Sequence, residues 1–254
     1  STHRGTLFPY TTLFRSVSIK PSINLQPEVG NNLNLGFIVD RRGLCGLVRV
    51  QWETNFYYMM MKNMIRLFPA DTRSIYTNLG KTRTIGMDTD VKVDVTRNVY
   101  LYFNLTLQDI RDRQRWFNDE QGTSNPTYNK HVPNIPAFYY NYGMEYHAEG
   151  LIGRRELSRV YIDVSHVGEF DWGWQMSSLA EERRKWRIPS NDVFTIGLQQ
   201  SLWHNNMSLS LELENVFNKE NYMEFKMPLP GRTLKAKLRF NLFRDKLAGG
   251  AMSL

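Results

Sequence analysis

Met207-Ser208-Leu209-Ser210-Leu211-Glu212-Leu213-Glu214 and, after the corner Pro230-Gly231-Arg232-Thr233, Leu234-Lys235-Ala236-Lys237-Leu238-Arg239-Phe240-Asn241-Leu242 decide how this chain folds. In the first stretch Met207, Leu209, Leu211 and Leu213 share one face, and Ser208, Ser210, Glu212 and Glu214 share the other. In the second, Leu234, Ala236, Leu238, Phe240 and Leu242 oppose Lys235, Lys237, Arg239 and Asn241. A period of two is the signature of a strand with one apolar and one polar face. The charged face must touch water, and its opposite must touch something oily.

Upstream the same alternation recurs at 33–39, 48–58, 85–95, 101–107, 138–146, 160–164 and 194–202, which makes nine strands and an all-β chain. Most of them exceed the ~5–6 residues usual in soluble sheets. The connections carry a second signal. Short ones at 40–45, 96–98, 148–155 and 203–206 alternate without exception with long ones at 62–82, 113–135, 168–190 and 216–231. An up-and-down meander in a membrane keeps its tight turns on one side and its long loops on the other. A soluble β-sandwich or barrel binding module is compatible with the periodicity but has no reason to keep that rule. Aromatic residues gather beside the long loops (Phe56, Tyr57, Tyr58, Trp116, Phe117, Phe138, Tyr139, Tyr140, Phe170, Trp172, Trp174), with Tyr100 and Trp203 at the short turns. Two such girdles are expected where a barrel meets lipid headgroups.

Composition narrows the function classes. With 41% hydrophobic and 22% charged residues the chain is not a disordered one. No apolar run reaches the ~18 residues of a spanning helix, whereas a barrel strand needs only ~10 alternating residues. The net charge of +7 is scattered through turns and polar faces, which argues against a nucleic-acid partner. Cys45 is the single cysteine, so neither an internal disulfide nor a thiolate metal cage is possible. His3, His131, His147, His166 and His204 lack ligand spacing, and no metal or cofactor is expected. No Gly-x-Ser-x-Gly, phosphate-cradling loop or paired histidines suggest an enzyme. A barrel hydrolase would have only Asp109, Asp112 and His131 to bring together at an outer rim.

Five segments, in order, resemble the carboxy-terminal part of a TonB-dependent outer-membrane receptor. They are Leu25-Gln26-Pro27-Glu28, Asn78-Leu79-Gly80-Lys81 through Ile85-Gly86-Met87-Asp88, Val132-Pro133-Asn134-Ile135-Pro136, Asn215-Val216-Phe217-Asn218-Lys219 and Pro230-Gly231-Arg232-Thr233. The resemblance implies that residues 17–243 are part of an antiparallel up-and-down transmembrane β-barrel of about 22 strands, here an open curved sheet. It further implies the Gram-negative outer membrane and its lipid as surroundings. The cargo would be a scarce small-molecule or glycan ligand: an iron–siderophore, haem, cobalamin or a glycan. The inner-membrane TonB-type energy-transducing complex would act only through a plug region outside this sequence. Residues 1–16 resemble translated sequencing-adapter DNA and are expected to be a non-native leader, and 244–254 are a tail beyond the aromatic strand end.

Within the resemblance, Asn215, Phe217, Asn218, Pro230, Gly231 and Arg232 are architectural. Pro230 fixes φ, Gly231 permits a positive φ, and Arg232 is free to pair with carboxylates or phosphates at the rim. Pro133 and Pro136 are expected to stop strand pairing ahead of Phe138. Transport leaves ligand contacts to loop aromatics and their neighbours, of which Arg115, Trp116, Tyr139, Trp172, Trp174 and Trp186 are the candidates. Glu181-Glu182-Arg183-Arg184-Lys185 reads as a solvated loop face or short helix. Leu234, Leu238 and Leu242 are assigned to lipid, and Lys235, Lys237 and Arg239 to the lumen.

Overall fold

A computed structural model describes residues 19–20, 25–69, 74–116, 124–176, 179–224 and 227–241. The adapter-like leader, Phe117, Leu242, Phe243 and the tail lie outside the described residues. Nine long strands run in chain order: β1 (Val29–Arg42), β2 (Arg49–Pro69), β3 (Ser74–Asp94), β4 (Val99–Asp112), β5 (Phe138–Glu149), β6 (Leu157–Val167), β7 (Asn191–Leu202), β8 (Met207–Glu214) and β9 (Thr233–Phe240). Each pairs antiparallel with the next in one meander, and β1 and β9 remain unpaired edges, so the sheet is open. Ile19–Lys20 adds a short parallel pairing at Ser74–Ile75.

All nine expected strands are present, and the connections alternate short and long as the sequence indicates except between β2 and β3, where only 70–73 separate the strands. One boundary differs. The span 62–82, expected as a loop, is mostly the continuation of β2 and β3, which stay in register up to Pro69 opposite Ser74. The run Met59-Met60-Met61 hides the period of two there, and Asn63, at φ 60°, passes through the left-handed region without breaking register.

Side-chain exposure shows which face is enclosed. In β7, an inner strand, Ile196 and Leu198 are 40% and 46% exposed, whereas Gly197 between them is buried. The apolar rows of β4, β5, β6 and β8 are exposed in the same way, at Leu101, Leu107, Met144, Tyr146, Val160 and Leu211. Among the described residues the buried hydrophobics are only Val132, Ala148 and Ile188, while Thr82, Thr84, Asp112 and Asn191 are buried on the polar face. The buried Thr54, Ser158 and Gln200 of the apolar face are hydrogen-bonded to neighbours there. A sandwich would bury its apolar face against a second sheet. Here that face forms a continuous outer band and the polar side chains bond among themselves.

A repeated device holds the polar face. Tyr57 faces Gly86, Tyr102 faces Gly143 and Tyr161 faces Gly197 across successive strand pairs. In each pair the ring lies over the glycine, where a Cβ would sit 2.2, 2.5 and 2.0 Å from ring carbons. Glycine is required there for want of space. The phenols of Tyr102 and Tyr161 cross the glycine strand and donate to Asp163 (2.7 Å) and Glu212 (2.6 Å), the residues paired to those glycines on the far side. Each of these two stitches therefore ties three strands. Covering a strand glycine with a cross-strand aromatic ring protects the exposed backbone and pins the register.

On the outer band, polar atoms are satisfied locally. Trp52 Nε1 donates to Thr54 Oγ1 (2.8 Å) and Thr89 Oγ1 (3.1 Å), the two hydroxyls lie 2.6 Å apart, and Phe37 packs edge-on against the indole. In an apolar surrounding, unpaired hydroxyls would be costly. Tyr100, expected in the short-turn girdle, instead stacks on Tyr102 on the polar face, and Tyr146 takes the outward position at that end. Tyr57 and Tyr139 likewise face the polar side, leaving Phe56, Tyr58, Phe138 and Tyr140 outward, because a period of two cannot put three consecutive aromatics on one face.

Candidate functional site

The polar wall carries a mixed ionic lattice. Arg49 forms a fork with Asp40 (2.9 and 2.6 Å), Lys92 meets Asp90 (3.1 Å), Arg159 meets Glu145 (2.5 Å), and Lys235 bridges Glu214 (2.6 Å) and Glu212 (3.5 Å). A shallow groove of about 300 Å³ lies on the wall between Glu53, Asn55, Asp88, Asp90, Asn104 and Thr106. Two of its three carboxylates are engaged: Thr106 donates to Asp88 (2.7 Å) and Asn104 to Asp90 (2.5 Å). No group of three or more His, Cys, Asp or Glu among the described residues is arranged to hold a metal.

Above the wall the long loops are bonded into one layer. Asp112, at the top of β4, accepts from Gln114 N (2.8 Å), Asn125 Nδ2 (3.0 Å) and the Thr127 hydroxyl, closing the 113–137 loop on itself. That loop docks on the next one through Asn134 N to Asp171 O (2.7 Å) and Lys130 Nζ to Gln175 O (2.7 Å). Asn191 and Asn221 join the top of β7 to the last loop, through Tyr222 N to Asn191 Oδ1 (2.7 Å) and Asn221 Nδ2 to Asp192 O (3.0 Å). Beside them the Tyr222 phenol donates to Glu220 (2.5 Å), which pushes its pKa above the ordinary value. Loop asparagines and aspartates near strand ends are the signal for these anchors, which sequence reasoning passed over.

The candidate contact residues fall into separate places. Trp172 and Trp186 stack at 5.5 Å and 17° on the small hairpin Phe170–Asp171 with Arg187–Ile188, steadied by Arg187 Nη1 to Glu169 (2.8 Å) and by the buried Ile188. Both indoles keep exposed faces, at 41% and 49%. They crown a loop, so the strand-end girdle expected at Trp172 is a platform above it. Trp174 is half-buried further along the same loop. Arg115 lies over the Trp116 ring at 5.3 Å beyond the end of β4. Tyr139 faces the polar wall near the top of β5, opposite Thr106 and Val167. Glu181 to Lys185 lie within a short helix, α1 (Ala180–Lys185).

The architectural residues converge as a unit, with two corrections. Buried Asn215 (φ 52°) exchanges bonds with Lys219, Nδ2 to O at 2.8 Å and N to Oδ1 at 2.9 Å, and Asn218 Oδ1 accepts from Arg232 N (2.9 Å). Phe217 projects outward and packs on Phe194 at 5.2 Å. Pro230 is exposed and lends its carbonyl to Asn215. Gly231, expected at positive φ, is not in the left-handed region. A Cβ there would stand 2.8 Å from Asn218 Oδ1, so the glycine serves close approach. Arg232 acts through its backbone amide, and its guanidinium makes no ion pair among the described residues.

Regular pairing begins at Phe138, with 133–136 outside any strand, as expected of Pro133 and Pro136. Beyond that interruption the chain returns to β4 through Val132 N to Ile110 O (2.9 Å), while Gln108 N donates to Ala137 O (2.7 Å) next to the strand start. Asp109 and His131 do meet (3.2 Å), yet Arg83 and Arg111 already hold that carboxylate. Asp112 is turned into the loop, so the hydrolase arrangement does not form.

The model of the β-barrel of TonB dependent receptor-like proteins matches residues 4–216. No curated protein sequence matches the chain. The copper transporter OprC shares the fold at a TM-score of 0.63 and 16% identity, over 85% of this chain and 32% of that one. The FrpB iron transporter from Neisseria meningitidis (F3-3 variant) does so at 0.60 and 12%, over 87% and 32%. BauA, the ferric preacinetobactin receptor from Acinetobacter baumannii, gives 0.59 and 12%, over 82% and 29%. The chain thus spans about a third of the length of these solved relatives. With the matched residues covering most of the sequence and the open meander agreeing in fold, the chain belongs to the TonB-dependent receptor family, in its β-barrel part.

Proposed function

We propose that this chain is a stretch of the wall of an outer-membrane receptor that imports a scarce nutrient. The carrying observation is the inverted exposure pattern: apolar rows outward and unpartnered, polar rows enclosed and cross-bonded. In this reading the outward rows meet lipid, the polar wall lines a wet lumen, the short turns face the periplasm and the bonded loop layer faces the medium. Trp172 and Trp186 offer a rigid aromatic platform on the outer side, with Arg115 and Trp116, Trp174 and Tyr139 as further contacts for an iron–siderophore, haem, cobalamin or glycan. Energy coupling to a TonB-type complex belongs to a plug region outside this chain.

Lipid quenching tests the orientation. Trp52 sits on the outer band and Trp172 and Trp186 in the loop layer, so in vesicles of brominated phosphatidylcholine Trp52 fluorescence should fall strongly. The loop pair should instead respond to aqueous iodide. A chain whose Trp52 ignores the brominated lipid is not built this way. Binding is read on the same loop pair, whose emission should change on adding a ferric siderophore or haem if the platform contacts cargo.

A further inference from the structure

The outward face bears an accumulation of positive charge just beyond its apolar rows. Lys62 pairs with Lys81 across β2 and β3, and Arg83 pairs with Arg111 across β3 and β4, so two successive cross-strand pairs are like-charged. Arg113 joins them, its amide donating to Lys81 O at 2.6 Å, and His131 bridges to Arg111. By alternation these residues share the face of Ile85 and Leu107, which are 43% and 41% exposed. Directly opposed like charges destabilise a sheet. A single carboxylate offsets them. Asp109 takes Arg83 Nη2 (2.8 Å) and Arg111 Nε (2.9 and 3.0 Å), while Lys62, Lys81 and Arg113 make no ion pair among the described residues. The Arg83 Nε is buried without a hydrogen-bond partner.

We infer that this cluster is a docking site for phosphate groups of the surrounding membrane lipid, centred on Arg83 and Arg111. The inference rests on the membrane-barrel reading and goes beyond it. The cluster faces away from the polar wall, so cargo passing the lumen does not reach it. Arg83 lies one alternate position past Ile85 and Arg111 two past Leu107, toward the long-loop end of the outward face, which is where headgroups are expected. With Arg83 Nη2 and Arg111 Nε on Asp109 and Arg111 Nη1 on Asn129 O (3.3 Å), Arg83 Nη1 and Arg111 Nη2 are left to share one phosphate, each oriented by the bonds its guanidinium already makes. A phosphate there would supply the anion missing from the opposed pairs and an acceptor for the donors that Asp109 leaves over.

The test uses the full chain and its partition into vesicles of phosphatidylcholine, alone or with a minor fraction of either phosphatidic acid or cholesteryl hemisuccinate. Wild type should favour the phosphatidic-acid vesicles by about thirtyfold over phosphatidylcholine alone, from ~1 kcal/mol for each of the two arginines near a charged surface. It should favour them over the carboxylate vesicles as well. Arg83→Gln with Arg111→Gln should remove the preference and leave entry into phosphatidylcholine unchanged. Arg83→Lys with Arg111→Lys, which keeps the charge should the first variant misfold, should retain only part of it. Lys237→Gln with Arg239→Gln removes the same charge from the opposite face and should retain all of it.

Equal loss in the outward-face and lumenal glutamine double variants, equal binding to carboxylate vesicles, or loss of the preference on adding inorganic phosphate would each overturn the lipid-phosphate site while leaving the barrel reading intact. Failure to enter phosphatidylcholine at all would overturn both.

Discussion

Gly197→Ala is the sharpest test of how this wall is held. A methyl group at Gly197 would stand 2.0 Å from Tyr161 Cζ and 2.3 Å from both Cε1 and the phenol oxygen. No relaxation of tenths of an ångström accommodates that, so the ring must leave. With it goes the 2.6 Å bond to Glu212, and Tyr161 also loses its place under the Arg159 guanidinium, now 5.0 Å away. A hydrogen bond to a charged acceptor contributes ~1.5 kcal/mol at the low end suited to a half-exposed site. The cation–π contact contributes about 0.5 kcal/mol, and repacking of the ring costs ~1 kcal/mol more. Alanine's advantage over glycine in a strand returns ~0.5–1 kcal/mol. The net loss is about 2 kcal/mol, enough to shift the folded-to-unfolded ratio by a factor of about 30. Urea unfolding of the chain in octyl glucoside micelles, followed by tryptophan fluorescence, reads this directly. Because the three nearest atoms at Gly197 all belong to Tyr161, Gly197→Ala combined with Tyr161→Ala should cost no more than Tyr161→Ala alone. Gly36→Ala, whose methyl would come no closer to any atom than 3.3 Å, at Thr54 O, is the reference. If Gly197→Ala is as mild as Gly36→Ala, or if the two changes simply add, the ring-over-glycine account is wrong.

The other anchors give further expected outcomes. Asn215→Ala removes bonds to Lys219 and Pro230 from a buried site and puts alanine at φ 52°, so a loss of about 3 kcal/mol is expected, read as faster proteolysis within 216–232. Asp112→Ala strips the 113–137 loop of its shared acceptor. Limited proteolysis should speed up there by about tenfold or more, from ~1–3 kcal/mol of lost bonding, while β4 and its neighbours stay protected. Trp52→Phe deletes the donor shared by Thr54 and Thr89 on the outer band, and a loss of ~1 kcal/mol in the unfolding midpoint in vesicles checks it.

How much of this was legible beforehand follows from which interactions are local. Met207 to Glu214 and Leu234 to Phe240 declare their faces because each neighbour in sequence points the opposite way, and that local rule suffices for all nine strands and for the order of a meander. It fails where three methionines in a row carry no alternation, at 59–61, and β2 and β3 consequently run on through a supposed loop. The direction of the faces is a different kind of fact. Leu198 by itself looks equally suited to a core or to lipid. The loop pattern and the family resemblance point the apolar rows outward, and the burial of Gly197 beneath Tyr161 beside an exposed Leu198 agrees with that. Non-local pairings were out of reach of the local rule. Tyr102 and Asp163 lie far apart in the chain and meet only once Gly143 comes between them. Pro230-Gly231-Arg232 marks its corner correctly, yet its workings depend on Asn218, a loop away. Recognition of a family corner therefore placed the architecture, whereas the contacts that make glycine necessary at 231 had to come from the fold. The same limit applies at Lys62, Lys81, Arg83 and Arg111. Read along the chain they are ordinary surface cations, and only the register that sets them side by side, with Asp109 the one carboxylate pairing with them among the described residues, makes a place for an outside anion.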